Sequence, residues 1–173
     1  RHYFVTPEGT SHYDKRHLFT HGHEDQRFTA GQEAVVVSWQ GMRLLLQTCY
    51  DLRFPVFARY GRATANEPDG LLYDVIVYVA NWPEKRQLAW DTLIRARAME
   101  NQCYVLAVNR VGTDPACAYG GGSAVIDPLG RTMVACSAGM SWVSADIDAA
   151  TIAKARQHFR VLDDRDAFQI RND

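Results

Sequence analysis

The sequence predicts a single α/β (α+β) sandwich with mixed strand pairing, and three observations carry that prediction. Strand-sized apolar runs alternate with helix-length segments. Short turn-rich links join several neighbouring runs as hairpins. One apolar run ends directly in a helix-opening Pro segment. The hairpins are too frequent for a pure β-α-β series, in which each connection is a crossover. At 173 residues the chain suits one domain over 1–173 and is short for two.

Pro7-Glu8-Gly9-Thr10 reads as the turn between Tyr3-Phe4-Val5 and Ser11-His12-Tyr13. Glu33 to Trp39 is β-branched and apolar, Gly41 breaks it, and Met42 to Thr48 follows. That second run is almost continuously apolar, as suits a strand buried on both faces. It ends at Cys49-Tyr50-Asp51-Leu52-Arg53-Phe54-Pro55, where Pro55 fits the first turn of a helix from Phe54 to Tyr60. Gly61 to Gly70 reads as a loop, and Tyr73 to Ala80 as the next strand. Asn81-Trp82-Pro83 leads into a helix from Glu84 to Gln102, with Leu88, Leu93, Ala96 and Met99 on its expected buried face. Cys103 to Asn109 is a strand, and Ser123 to Ile126 pairs with Arg131 to Ala135 across Asp127-Pro128-Leu129-Gly130. Trp142 to Ile147 reads as a strand, and Asp148 caps a last helix to Phe159.

Composition excludes some partners. Hydrophobic residues are 47% and charged residues 23%, an ordinary globular balance. A net charge of −1 gives no basic field for nucleic acid or an anionic membrane. The longest apolar stretches are strand-sized, so neither a spanning helix nor a signal peptide is expected. The chain opens at Arg1 as a strand under way, without Met, and is expected to be a piece of a longer protein. Four scattered cysteines with no C-x-x-C predict a reducing, cytoplasmic setting and no zinc site.

Of these cysteines, Cys49 alone sits between a buried strand and a helix. Such a turn projects its side chain into a cleft, turns the next backbone N–H groups toward a developing oxyanion, and favours thiolate. Cys103 and Cys136 lie in or beside strands, and Cys117 lies in a Gly-rich loop. Two partners for Cys49 are open on residue types. One is a histidine from the cluster His17, His21 and His23, whose His21-x-His23 pair lacks a third metal ligand. The other is Lys15, one of three lysines, whose ammonium beside a thiolate stabilises both thiolate and oxyanion.

Tyr13-Asp14-Lys15-Arg16-His17-Leu18-Phe19 and the cysteine segment resemble the lysine and cysteine motifs of the nitrilase (carbon–nitrogen hydrolase) superfamily. Tyr78 to Pro83, Arg95 to Gln102, Gly120-Gly121-Gly122-Ser123 and Asp127 to Gly130 fit its later segments in order and spacing. The Asn-Trp-Pro and Cys-Tyr-Asp-Leu-Arg-Phe-Pro forms are closest to its omega-amidase branch, which deamidates 2-oxoglutaramate and 2-oxosuccinamate.

The resemblance implies an α-β-β-α sandwich that pairs as a homodimer, a small-molecule amide substrate, and no metal or organic cofactor. It implies a Glu-Lys-Cys triad, with Cys49 and Lys15 as two members and Glu24 as a second, supporting glutamate; Glu24 also reads as a surface acid. The triad's own glutamate lies ahead of the lysine motif, so the chain is expected to be N-terminally incomplete. Tyr50 offers its backbone N–H to the oxyanion. Arg53 is a candidate for a substrate carboxylate or an ion pair with Asp51 or Asp74. Trp82 is a candidate pocket wall or a packing residue. Arg95, Arg97 and Glu100 are expected to form ion pairs, and Gly120 to Gly122 to meet a backbone need. Other carbon–nitrogen hydrolysis on the same scaffold, or a non-catalytic binding remnant, remain open.

Overall fold

The computed structural model describes residues 1–59, 73–137, 139–166, 168 and 170. Strands β1 (His2–Thr6) and β2 (Gly9–Tyr13) form the expected first hairpin. Two single 3₁₀ turns, Thr20–Gly22 and Glu24–Gln26, lead on to β3 (Val35–Trp39) and β4 (Met42–Thr48). Gln40 and Gly41 join these two with φ of 51° and 76°, the left-handed pair that a two-residue hairpin requires. A 3₁₀ turn, Cys49–Arg53, and the short α1 (Pro55–Ala58) follow. Then come β5 (Val75–Ala80), a 3₁₀ turn Glu84–Arg86 running into α2 (Gln87–Asn101), and β6 (Tyr104–Asn109). A small hairpin of β7 (Val111–Thr113) and β8 (Ala118–Gly120) precedes β9 (Ala124–Ile126), β10 (Thr132–Ala135) and α3 (Ala149–His158). The expected loop from Gly61 to Gly70 lies outside the described residues.

Six strands form one mixed sheet in the order β10-β9-β6-β5-β4-β3. The inner strands β4, β5 and β6 are parallel, and the flanking strands pair antiparallel. Register aligns Leu45, Ile76, Val105 and Ile126 in one row, and α2 covers it with Trp90, Ile94 and Ala98. The alternate residues Leu44, Val75 and Tyr104 face the other way and pack under Ile152 of α3. Beside them the first hairpin forms a second β-layer, with Tyr13 packed on Leu46 and Phe57. Each large apolar side chain so buried contributes about 1.5–3 kcal/mol. No described helix is long and apolar enough to cross a membrane.

Three sequence expectations change. The buried face of α2 is Trp90, Ile94, Arg97, Ala98 and Asn101, while Leu88 is 82% exposed and Met99 is 49% exposed. Two polar members of the true face hid it: Arg97 and Asn101 are buried because they hydrogen-bond to Leu52 O and to Arg97 O. The segment Trp142 to Ile147 is not a strand, because it joins no ladder among the described residues. The helix after the cysteine is only Pro55–Ala58 among the described residues, and Cys49 itself opens the preceding 3₁₀ turn.

Candidate active site

Strands β4, β5 and β6 all end at one edge of the sheet, the edge at which open parallel sheets bind ligands. Cys49 stands there, directly after β4, with φ of 47°. That left-handed conformation is costly for a residue with a Cβ, and it turns the chain from strand into 3₁₀ turn within one residue. The sulfur is thereby displayed at the edge, 3.9 Å from the carbonyl oxygen of Asn81 after β5. Burial pushes the Cys49 thiol above the ordinary cysteine range, and the charges of Glu24 and Asp51 add to it. The Lys15 charge and the Asn81 carbonyl contact act the other way. The expected lowering by a helix N-terminus is therefore outweighed: a five-residue 3₁₀ turn does not offset the loss of water.

Lys15 lies two residues past β2 with its side chain only 10% exposed. Its Nζ donates to Glu24 Oε2 at 2.6 Å, and the same oxygen accepts the Phe19 N–H at 2.9 Å. Glu24 thus fixes both the ammonium and the loop that follows it, so it is not a free surface acid. Gly31 donates its N–H to Lys15 O at 2.9 Å. A Cβ on Gly31 would lie 2.1 Å from Asp14 O, so only glycine permits this approach to the lysine segment.

All six candidate residues, Lys15, Glu24, Cys49, Tyr50, Arg53 and Trp82, line one open cavity of about 1300 Å³. Tyr50 meets Phe19 and Phe54 edge-on at 5.0 and 5.1 Å. Arg53 lies over the Trp82 ring at 5.0 Å. Neither expected ion pair of Arg53 forms: Asp51 is taken by Tyr13 and His17, and Asp74 by Arg43 and Arg156. Trp82 serves both readings, since it lines the cavity yet is 2% exposed and packs 5.6 Å from Trp90. Its Nε1 donates to Arg86 O, and its backbone N–H donates to Asn109 Oδ1 at 2.7 Å. Asn109 also donates to Gly121 O at 2.7 Å; Gly121 and Gly122 adopt φ of 76° and 81°, the backbone need expected of that run.

His17 does not face the cavity. Its Nδ1 lies 2.8 Å from Asp51 Oδ1 and its ring stacks on Phe54 at 3.7 Å. The Cys-His pairing through His17 is thereby disfavoured. His21 lines the cavity, against Phe19. Among the described residues no group of three His, Cys, Asp or Glu side chains gathers as a metal would require. Cys103 is fully buried with its thiol pushed well above the ordinary range by burial, whereas Cys117 unexpectedly lines the same cavity as Cys49. Sequence reading missed Asn109, and it missed the bracing roles of Asp51, His17 and Arg97, whose Nη2 donates to Leu52 O at 2.7 Å beneath the cysteine turn. The sequence signalled Asp51 only as a partner for Arg53 and His17 only as a partner for Cys49; it signalled Arg97, with Glu100, as an ion pair, and that pair forms at 2.8 Å.

The fold and the site define a mixed α/β protein whose cavity, at the end of parallel strands, joins a thiol on a strained strand-to-turn junction to a largely shielded ammonium. The family model for carbon-nitrogen hydrolases matches residues 1–157, and the chain belongs to that family. It is 43% identical to the omega-amidase YafV of Escherichia coli (strain K12), over 98% of this chain and 64% of that protein. It is 34% identical to the 2-oxoglutaramate amidase of Bacillus subtilis (strain 168), over 94% of this chain and 61% of that protein. Among solved structures it matches XC1258 of Xanthomonas campestris, a superfamily protein with an arsenic adduct in its active site. The TM-score is 0.91 at 46% identity, over 97% of this chain and 64% of that one. The chain therefore spans just under two thirds of the length of these relatives, and its mixed α/β fold is that of the nitrilase superfamily.

Proposed function

We propose that this chain carries the Cys–Lys part of an amidase site that hydrolyses the terminal carboxamide of a small 2-oxo acid, as in 2-oxoglutaramate, to acid and ammonia. One observation carries the reading: Cys49, strained at the strand end, shares its cavity with Lys15, whose ammonium Glu24 holds at 2.6 Å. Cys49 Sγ, as thiolate, attacks the carboxamide carbon. The Lys15 ammonium and the Tyr50 N–H stabilise the resulting oxyanion, in a setting where burial strengthens each charge. The C–N bond breaks, ammonia leaves with the proton first taken from sulfur, and a thioester to Cys49 remains. Water then attacks the thioester, giving the acid and regenerating the thiol.

The proton-carrying base is the glutamate that the family resemblance places ahead of the lysine motif. The cavity's own acids among the described residues are both engaged, Asp14 by Arg1 and Glu24 by Lys15. Arg53, over the Trp82 ring, meets the substrate carboxylate with its planar fork, and Tyr50 and Trp82 wall the cavity. The names of the Escherichia coli and Bacillus subtilis relatives support the 2-oxo acid amide over a nitrile or an N-carbamoyl amine. The reading includes a homodimer, which sedimentation velocity tests, and a cytoplasmic setting, in keeping with four free thiols.

The test is ammonia release from 2-oxoglutaramate, set against a nitrile and an N-carbamoyl amine. Cys49→Ala is expected to abolish release with the melting transition unchanged, and iodoacetamide is expected to label Cys49 well before the buried Cys103. Full turnover in Cys49→Ala ends the proposal. Preference for the nitrile or the carbamoyl substrate moves the reaction within the family. Equal slow labelling of all four thiols, without turnover, leaves a binding protein.

A further inference from the structure

The hydrogen bonds behind the cavity converge on one side chain that no step of the reaction touches. Asp51 is fully buried. Its Oδ1 accepts the His17 backbone N–H at 3.1 Å and faces His17 Nδ1 at 2.8 Å, where Nδ1 is the donor, the only role a carboxylate leaves it. Its Oδ2 accepts the Thr48 N–H at 2.9 Å and the Tyr13 hydroxyl at 2.9 Å, and that hydroxyl in turn accepts the Arg16 N–H at 2.9 Å. Tyr13, Arg16 and His17 bracket Lys15, while Thr48 precedes Cys49. One oxygen therefore holds the lysine segment, and the other joins that segment to the cysteine turn.

We infer that Asp51 is the positioning residue that sets the Lys15 ammonium against the Cys49 sulfur, and that His17 works through it as a fixed hydrogen-bond donor and not as a base. The inference rests on the proposed Cys–Lys chemistry. Nothing else in the described network joins these two segments through one atom group. Glu24 fixes the end of the Lys15 side chain, and Asp51 fixes the backbone that carries it.

Asp51→Asn tests this with almost no change in shape. An amide has one oxygen, so its NH₂ must face either the His17 N–H or the Thr48 N–H. Donor then meets donor at one of the two tethers, whichever way the amide turns. His17→Leu removes the ring donor and leaves Asp51 in place. His17→Asn returns a nitrogen donor near the Nδ1 position without a titratable ring.

In the full chain, kcat for amide hydrolysis per folded molecule is expected to fall about tenfold to a hundredfold in Asp51→Asn and His17→Leu, since small misplacements of a reacting pair cost that much. KM should move by less than about threefold, because the positioning pair touches no substrate. His17→Asn should recover most of the loss. The pH profile of iodoacetamide labelling at Cys49 supplies a readout with a sign. The charged groups that act on Cys49 are Lys15, Glu24 and Asp51. Deleting the Asp51 charge alone moves the labelling midpoint down, whereas displacing Lys15 moves it up. An upward shift in Asp51→Asn supports the inference. A downward shift, unchanged kcat, or no recovery in His17→Asn overturns it. Should the unsubstituted protein release no ammonia, the functional reading fails, and the labelling profile still decides the positioning role.

Discussion

Asp51 and Asp74 stand at opposite ends of the parallel pair β4–β5, and each is a shielded carboxylate surrounded by donors. Asp74 accepts the Arg43 N–H and its guanidinium at 2.9 to 3.0 Å, with Arg156 of α3 at 3.7 Å. Its partners bind the start of β4 and α3 to the sheet and carry no reactive group. Asp51 accepts four bonds, and its donors belong to the two segments that bear Lys15 and Cys49. The same local chemistry thus gives rigidity at one end and reactive geometry at the other. What distinguishes a site from a brace is the cargo of the donors, not the acid that gathers them.

The sharpest way to break the comparison is at the cavity end. Lys15→Met should lower amide turnover by about a hundredfold to a thousandfold, the usual loss for one oxyanion partner, while the melting temperature stays within a few degrees. A large loss of stability with intact turnover would make Lys15 a brace like Arg43.

Asp74→Asn should do the reverse, costing about 1–3 kcal/mol in urea unfolding with kcat per folded molecule unchanged. Burial raises the Asp74 carboxyl, but the bonds and charge of Arg43 and Arg156 outweigh it and hold the group below the usual carboxylate range. Its contribution is then fully present above the unfolded carboxylate pKa near about 4 and is lost as pH falls through the lower folded value. The gap between Asp74→Asn and the parent should accordingly close at acid pH; a constant gap would contradict the ion-pair account.

Arg53→Lys should raise KM about tenfold for an amide bearing a carboxylate and leave a neutral amide untouched, because an ammonium cannot reproduce a two-pronged contact. Equal effects on both amides would reduce Arg53 to a lid on Trp82. Smallest is Ile152→Val, at the one buried position of α3, with a cost of about 1 kcal/mol and no kinetic effect.

Some of this was plain in the residues. Met42 to Thr48 reads as a doubly buried strand because nothing polar interrupts its apolar core, and it spans those residues in the fold. The Cys49 turn was legible because a largely apolar run stops at a polar, Pro-containing segment. The face of α2 was not, because hydrophobicity was the only signal and the fold buries Arg97 and Asn101 while exposing Leu88. The Asp51 network was equally hidden. An acid two residues from Arg53 looks like its local partner. Its Thr48 N–H bond is local, three positions back, but its Tyr13 and His17 donors lie 38 and 34 positions away, and no spacing rule reaches that far. Trp142 to Ile147 failed for a related reason: alternation marks a chain able to pair, and pairing needs a neighbour.

The left-handed backbone at Cys49 has an evolutionary edge. A sequence selected for persistence alone would put glycine at this position, since glycine relaxes the angle by about 1 kcal/mol. On the proposed chemistry a thiol there trades a weaker joint for reactivity, and Cys49→Gly should melt higher than its parent while releasing no ammonia.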